Sequence, residues 1–145
     1  MYGNTAEGTA ATNGGGGIFL YSGTFTMNGG EIYGNNCLSN GGGVYLSNGT
    51  FDMLGGKIDN NTAKGASALG GGVYVAATPT FTKTGGIITG WNGVTGNVVI
   101  DDSDDERTNA GHAAYSLTGT KRRDGTAFGW DYMDSRSESY AGWDN

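Results

Sequence analysis

At 145 residues the chain is long enough for one domain with a modest core, and it contains 30 glycines but a single proline, Pro79. Collagen is excluded because strict triplet spacing is absent, and Gly-rich disorder is disfavoured because the glycines separate regularly spaced Val, Ile, Phe and Tyr. The net charge of −6 divides into −1 over residues 1–100 and −5 over residues 101–145, with no basic stripe beyond Lys121-Arg122-Arg123, so a nucleic-acid partner is not expected.

No apolar stretch reaches the roughly 18 residues that suggest a membrane span. Met1 is followed by YGNTAEG, which has neither the basic region nor the apolar run of a secretory leader. Cys37 is the one cysteine and cannot form an internal disulfide, so core packing is its expected role.

Taken in chain order, the sequence opens with Met1-Tyr2-Gly3-Asn4-Thr5-Ala6, which aligns with Ile32-Tyr33-Gly34-Asn35-Asn36-Cys37. The chain therefore begins in the last third of a repeat. Three copies follow, starting at the triple glycines of residues 15, 41 and 70. One anchor is Ile18, Val44 and Val73. A second is Phe25, Phe51 and Phe81, and a third is Ile32, Ile58 and Ile88.

Each copy holds three short pieces that alternate with period two, as strands do. In the second copy these are Val44-Tyr45-Leu46, Phe51-Asp52-Met53 and Lys57-Ile58-Asp59. Glycine pairs or Asn/Ser-Gly separate them, where the chain turns sharply. Pieces this short cannot bury an apolar face alone, but stacked on their equivalents they bury a continuous core. The pattern predicts an all-β fold, a right-handed parallel β-helix of about four coils over residues 1–100.

Stacking predicts inward ladders of Ile18/Val44/Val73, Leu20/Leu46/Val75, Phe25/Phe51/Phe81 and Ile32/Ile58/Ile88. It predicts an exposed outward stripe of Phe19, Tyr45 and Tyr74, and an amide ladder through Asn4, Asn35 and Asn61. Glu31 and Lys57 become outward neighbours of opposite sign. The third copy departs from the pattern: Lys83 stands where Met27 and Met53 point inward, and Trp91 falls in the Asn slot. A lysine there suggests that the core tapers or opens.

After Gly96 the repeat dissolves. Asn97-Val98-Val99-Ile100 reads as a strand of a further coil, and Ala114-Tyr115 sits like Val44-Tyr45. Residues 101–145 read as a C-terminal cap or docking segment, with Phe128, Trp130, Tyr132, Met133, Tyr140 and Trp143 as an aromatic flap over the last coil.

Several features invite a chemical reading. Asp101, Asp102, Asp104, Asp105 and Glu106 offer oxygen ligands for Ca²⁺ but lack the spacing of an EF-hand or a calcium β-roll, so a solvated loop is preferred. Together with nearby basic residues they suggest, more remotely, a Ca-dependent polysaccharide-active enzyme. His112, the one histidine, takes a slot that the repeats fill with Gly, which favours a turn role over that of a base. Phe19, Tyr45 and Tyr74 present flat rings on which sugars stack, or else stack on one another with no ligand. Met1, Tyr2 and Asn4 lie on an uncapped edge, which invites pairing with another chain.

The repeat GGGVYLSNGTFDMLGGKIDNNTA resembles the GGGVYV…GTFTM.GG.I.GN.A units of bacterial surface β-helix proteins common in spirochaetes such as treponemes and in gut anaerobes. It is more distantly similar to the GGAI-type repeats of chlamydial polymorphic outer-membrane proteins. The likeness covers residues 1–92, and Gly111-His112-Ala113-Ala114-Tyr115, Lys121-Arg122-Arg123 and Gly142-Trp143 are like the ends of such proteins. It implies an extracellular, cell-surface solenoid of adhesin type, with no catalytic residues to carry over. The expected function is a non-catalytic structural or adhesive module without a cofactor. Its expected partners are itself, head to tail in a filament, or the remainder of a larger surface protein. The alternative is a carbohydrate-binding module that uses the aromatic ladder.

Overall fold

The computed structural model describes residues 1–91, 96–107 and 110–117, together with the backbone of strands at 120–123, 126–128 and 132–133. The elements are β-strands throughout, arranged in four sheets with no helix among the described residues.

Each sheet collects one strand from each successive repeat. The first takes β1 (Thr5–Ala6), β5 (Asn36–Cys37), β9 (Thr62–Lys64) and β13 (Val98–Ile100). The second takes β2 (Ile18–Leu20), β6 (Val44–Leu46), β10 (Val73–Val75) and β14 (Ala114–Ser116). The third takes β3 (Thr24–Met27), β7 (Thr50–Met53), β11 (Thr80–Lys83) and β15 (Thr120–Arg123). The fourth takes β4 (Glu31–Tyr33), β8 (Lys57–Asp59) and β12 (Ile87–Ile88). All of these pairs are parallel. The three strands expected per repeat are thus four. The additional ones, such as Asn36–Cys37, are too short to show alternation in sequence.

The register is the one the repeat predicts. Ile18, Val44, Val73 and Ala114 align, as do Phe25, Phe51 and Phe81, and Ile32, Ile58 and Ile88. The N-terminal alignment also appears as pairing: Thr5 faces Asn36, Ala6 faces Cys37, and Tyr2 bridges to Tyr33. Period-two alternation sends Val44, Leu46, Phe51, Met53 and Ile58 into one core, where all five are fully buried. Burying a side chain such as Phe51 contributes about 1.5–3 kcal/mol. Ile18, Leu20 and Phe25 of the first repeat have a neighbour on one side only and are half-buried. Cys37 is buried, as expected.

The amide ladder runs through Asn4, Asn35, Asn61 and Asn97. The Oδ1 of Asn35, Asn61 and Asn97 each accepts both the backbone N–H and the Nδ2 of the preceding member, at 2.8–3.1 Å. Asn97, and not Trp91, therefore fills the slot in the third repeat. Extra residues between them displace the slot along the chain, which a fixed spacing misses.

One other expectation changes. Lys83 does point inward, but the core does not open there: it is 1% exposed, with Met53 on one side in register and β15 stacked on the other. Glu31 and Lys57 are register neighbours as expected, and Lys57 Nζ also binds Asp59 Oδ2 at 2.7 Å on its own strand. Strand mates two apart share a face, which puts Asp59 beside Lys57.

Parallel pairing runs through β15 and then reverses. β16 (Thr126–Phe128) pairs antiparallel with β15, and β17 (Tyr132–Met133) pairs antiparallel with β14. The reversal comes later in the chain than Gly96, after which the sequence repeat dissolves. Of the expected aromatic flap, Phe128, Tyr132 and Met133 lie in strands described by backbone alone. Trp130, Tyr140 and Trp143 lie outside the described residues, as does the closing Gly142-Trp143.

Candidate functional site

The aromatic stripe forms as a ladder. Ring centroids are 5.2 Å apart for Phe19 and Tyr45, 5.0 Å for Tyr45 and Tyr74, and 5.9 Å for Tyr74 and Tyr115, which extends the ladder by one member. The expected exposure is not there. Phe19 is 45% exposed, but Tyr45 and Tyr74 are only 5% and 7% exposed. The reason is the connection that precedes β2. A β-carbon on Gly14 would fall 2.0 Å from Tyr45 Cδ2, so only bare backbone can lie this close to the ring. Tyr74 is enclosed between the rings of Tyr45 and Tyr115. Burial raises both phenol pKa values, and for Tyr74 the neighbouring Tyr45 and Tyr115 add to the rise. These two rings offer no free face to a sugar. Phe19 instead shares an open depression with Thr12, Asn13, Tyr21 and Ser47.

The acidic run is an exposed turn, as the sequence suggests, but its carboxylates have separate tasks. Asp101 Oδ1 accepts the N–H groups of Ser103 and Asp105 at 2.7 and 3.1 Å, which shapes the turn. Asp104, at a positive φ of 64°, pairs with Lys64 at 2.6 Å. Glu106 Oε1 lies 3.1 Å from His112 Nε2. Asp102 and Asp105 are exposed. Among the described residues no three His, Cys, Asp or Glu side chains are grouped as metal ligands.

His112 has a defined role that sequence reasoning located only as a turn. It is fully buried, and its Nδ1 accepts the Val99 N–H at 2.9 Å. The Arg107 N–H donates to the Val99 carbonyl at 2.9 Å, and Ile100 bridges antiparallel to Glu106. The outer edge of β13 is thereby closed by the chain that follows it, where another parallel strand would otherwise pair. A signal for this exists in the repeat. At Gly71 a β-carbon would fall 2.7 Å from the Val98 backbone, so the second glycine lets a strand pass close by. A histidine in that slot marks the repeat where no further strand passes.

Met1, Tyr2 and Asn4 are exposed at the first repeat. Met1 is tied on one side by its ammonium to the Glu31 carbonyl at 2.6 Å, and its own carbonyl accepts the Tyr33 N–H at 2.9 Å. The amide ladder begins at Asn4, which donates to Asn35.

Comparison with protein-family models, with curated proteins and with solved structures finds no match to this chain. The described residues contain no helix long and apolar enough to cross a membrane.

Proposed function

We propose that the four sheets are the faces of a right-handed parallel β-helix that serves as a non-catalytic, extracellular structural or adhesive module. The right-handed sense follows the rule for parallel crossover connections. The observation that carries the reading is the register. Strand after strand pairs with its equivalent one repeat on, so most of the chain builds a rigid stack whose ladders of rings and amides repeat along it. The resemblance of the GGGVYLSNGTF unit to bacterial surface repeats supports the extracellular placement.

Association through the first coil belongs to the same proposal. Among the described residues β2 and β3 pair on one side only, with β6 and β7, while β17 and β16 lie at the far ends of the same two sheets. β17 and β16 run antiparallel to the strands they join, so a head-to-tail joint would be an antiparallel seam within otherwise parallel sheets. A preceding coil of a longer surface protein would occupy the same edge.

Electron microscopy of the purified chain with light scattering over a concentration series tests the joint. Filaments with strands about 4.8 Å apart along the axis are the expected result for assembly. A species that stays monomeric at high concentration sinks the filament and leaves a module set within a larger protein.

A further inference from the structure

Apart from the insertion between β12 and β13, the marked differences in length fall at one set of connections: 7–17 between β1 and β2, 38–43 between β5 and β6, 65–72 between β9 and β10, and 101–113 between β13 and β14. The outer two are the longest and the inner two shorter, so together they enclose a trough. Its cavity is about 640 Å³, open on one side, and its lining includes Thr9, Leu38, Lys64, Ala66, Ser67 and Asp102. This volume lies within the range of about 300–1,000 Å³ typical of ligand sites.

The walls are tied to one another. Ser39 Oγ donates to the Ala10 carbonyl at 2.9 Å, and Asn40 Nδ2 donates to the Ala11 carbonyl at 3.1 Å. Asn40 Oδ1 accepts the Leu69 N–H at 2.9 Å, which joins the second connection to the third. Lys64, at the end of β9, binds Asp104, and the Arg107 guanidinium donates to the Ala68 carbonyl, which joins the third connection to the fourth. Beneath them Ala63 and Val99 pack with Ala68 and Ala110 as a separate small core. A ligand entering here meets a surface already ordered, so little entropy is lost in shaping it.

We propose that this trough binds a neutral oligosaccharide. A sugar alternates hydroxyls with C–H faces. The lining alternates in kind: the Asp102 carboxylate accepts, the Lys64 ammonium donates, and the Thr9 and Ser67 hydroxyls do both, while Leu38 and Ala66 present methyl groups. A peptide would need a free strand edge to pair with, whereas the trough crosses the connections. An acidic glycan would meet the run Asp101–Glu106 on a chain of net charge −6. The site rests on the adhesive reading and gives it a ligand class and a location away from the ladder.

The test is calorimetric titration of the whole chain with neutral hexose and xylose oligosaccharides, cellohexaose and mannohexaose among them, and an oligogalacturonate as the acidic control. Asp102→Ala and Ala66→Trp, both at exposed positions, should keep the urea midpoint yet weaken binding about tenfold or more. Phe19→Ala should leave binding unchanged. Binding that survives both trough variants, or that is lost with Phe19→Ala, overturns the site and spares the adhesive reading. A wild type that adheres to cell surfaces but binds no neutral sugar overturns the ligand class. Failure to adhere at all overturns the reading beneath it.

Discussion

Asn35 and Asn61 lie one repeat apart with both side chains fully buried, and Asn61 Oδ1 accepts the Asn35 backbone N–H at 3.0 Å and its Nδ2 at 2.9 Å. Asn61 Nδ2 in turn donates to the Ile32 carbonyl at 3.0 Å and to Asn97 Oδ1 at 2.8 Å. One amide thus satisfies polar groups of three repeats. A buried network of this kind stabilises only when every member is partnered.

Replacing Asn61 with Leu should therefore be severe. It leaves the Asn35 N–H buried without its acceptor, takes one of two acceptors from Asn35 Nδ2 and removes a donor from the Ile32 carbonyl, at about 1–3 kcal/mol per orphaned group. A loss of about 3 kcal/mol or more in urea denaturation is expected. Asn4→Ala, at the exposed end of the same ladder, should cost under about 1 kcal/mol. Equal effects at the two positions would show that the ladder is not cooperative.

Phe51 provides a packing counterpart. Its ring lies 5.0 Å from both Phe25 and Phe81 and is fully buried, whereas Phe25 is half-buried and has one ring neighbour. Phe51→Ala should cost about 3–5 kcal/mol and Phe25→Ala clearly less, read from the shift in urea midpoint at constant slope. The order should reverse only if the half-buried ring is covered in solution.

His112→Phe keeps a planar aromatic ring, though a larger one, and removes the acceptor for the buried Val99 N–H. It should destabilise the chain by about 2 kcal/mol and speed hydrogen exchange at the Val99 amide. Unchanged exchange there would mean that the imidazole does not close the β13 edge.

Tyr45 and Tyr74 set an alkaline limit. Burial raises both pKa values in the folded state above that of an unfolded tyrosine, so the ionised form is disfavoured by folding. The associated stability is complete below the unfolded value of about 10 and is lost as pH rises through the folded values. Absorbance at the phenolate band during an alkaline titration should show Tyr45 and Tyr74 ionising late, with cooperative unfolding as they do, and their signals are assigned with Tyr45→Phe and Tyr74→Phe. Normal titration of Tyr45 and Tyr74 would mean that both rings are open to solvent.

Repetition made much of the fold readable from residue order. Once Val44 aligns with Val73 and Phe51 with Phe81, every strand between them has its partner, because a one-residue slip would send the apolar set outward. The amide ladder was legible for the same reason, up to the insertion after Trp91 that moved its last member to Asn97. Asn36–Cys37 was not legible as a strand, since a two-residue piece has no period.

What the sequence by itself determined is the direction each side chain faces, which follows from alternation along a strand and needs no knowledge of neighbours. Only the tertiary structure decided what covers an outward side chain. Tyr45 faces away from the core just as Phe19 does, yet Gly14 lies on its ring and leaves no surface for a ligand. The trough has the same origin: Thr9, Lys64 and Asp102 are far apart in sequence and share no motif. They meet because stacking brings successive connections side by side, and that proximity is a property of the stack rather than of any one repeat.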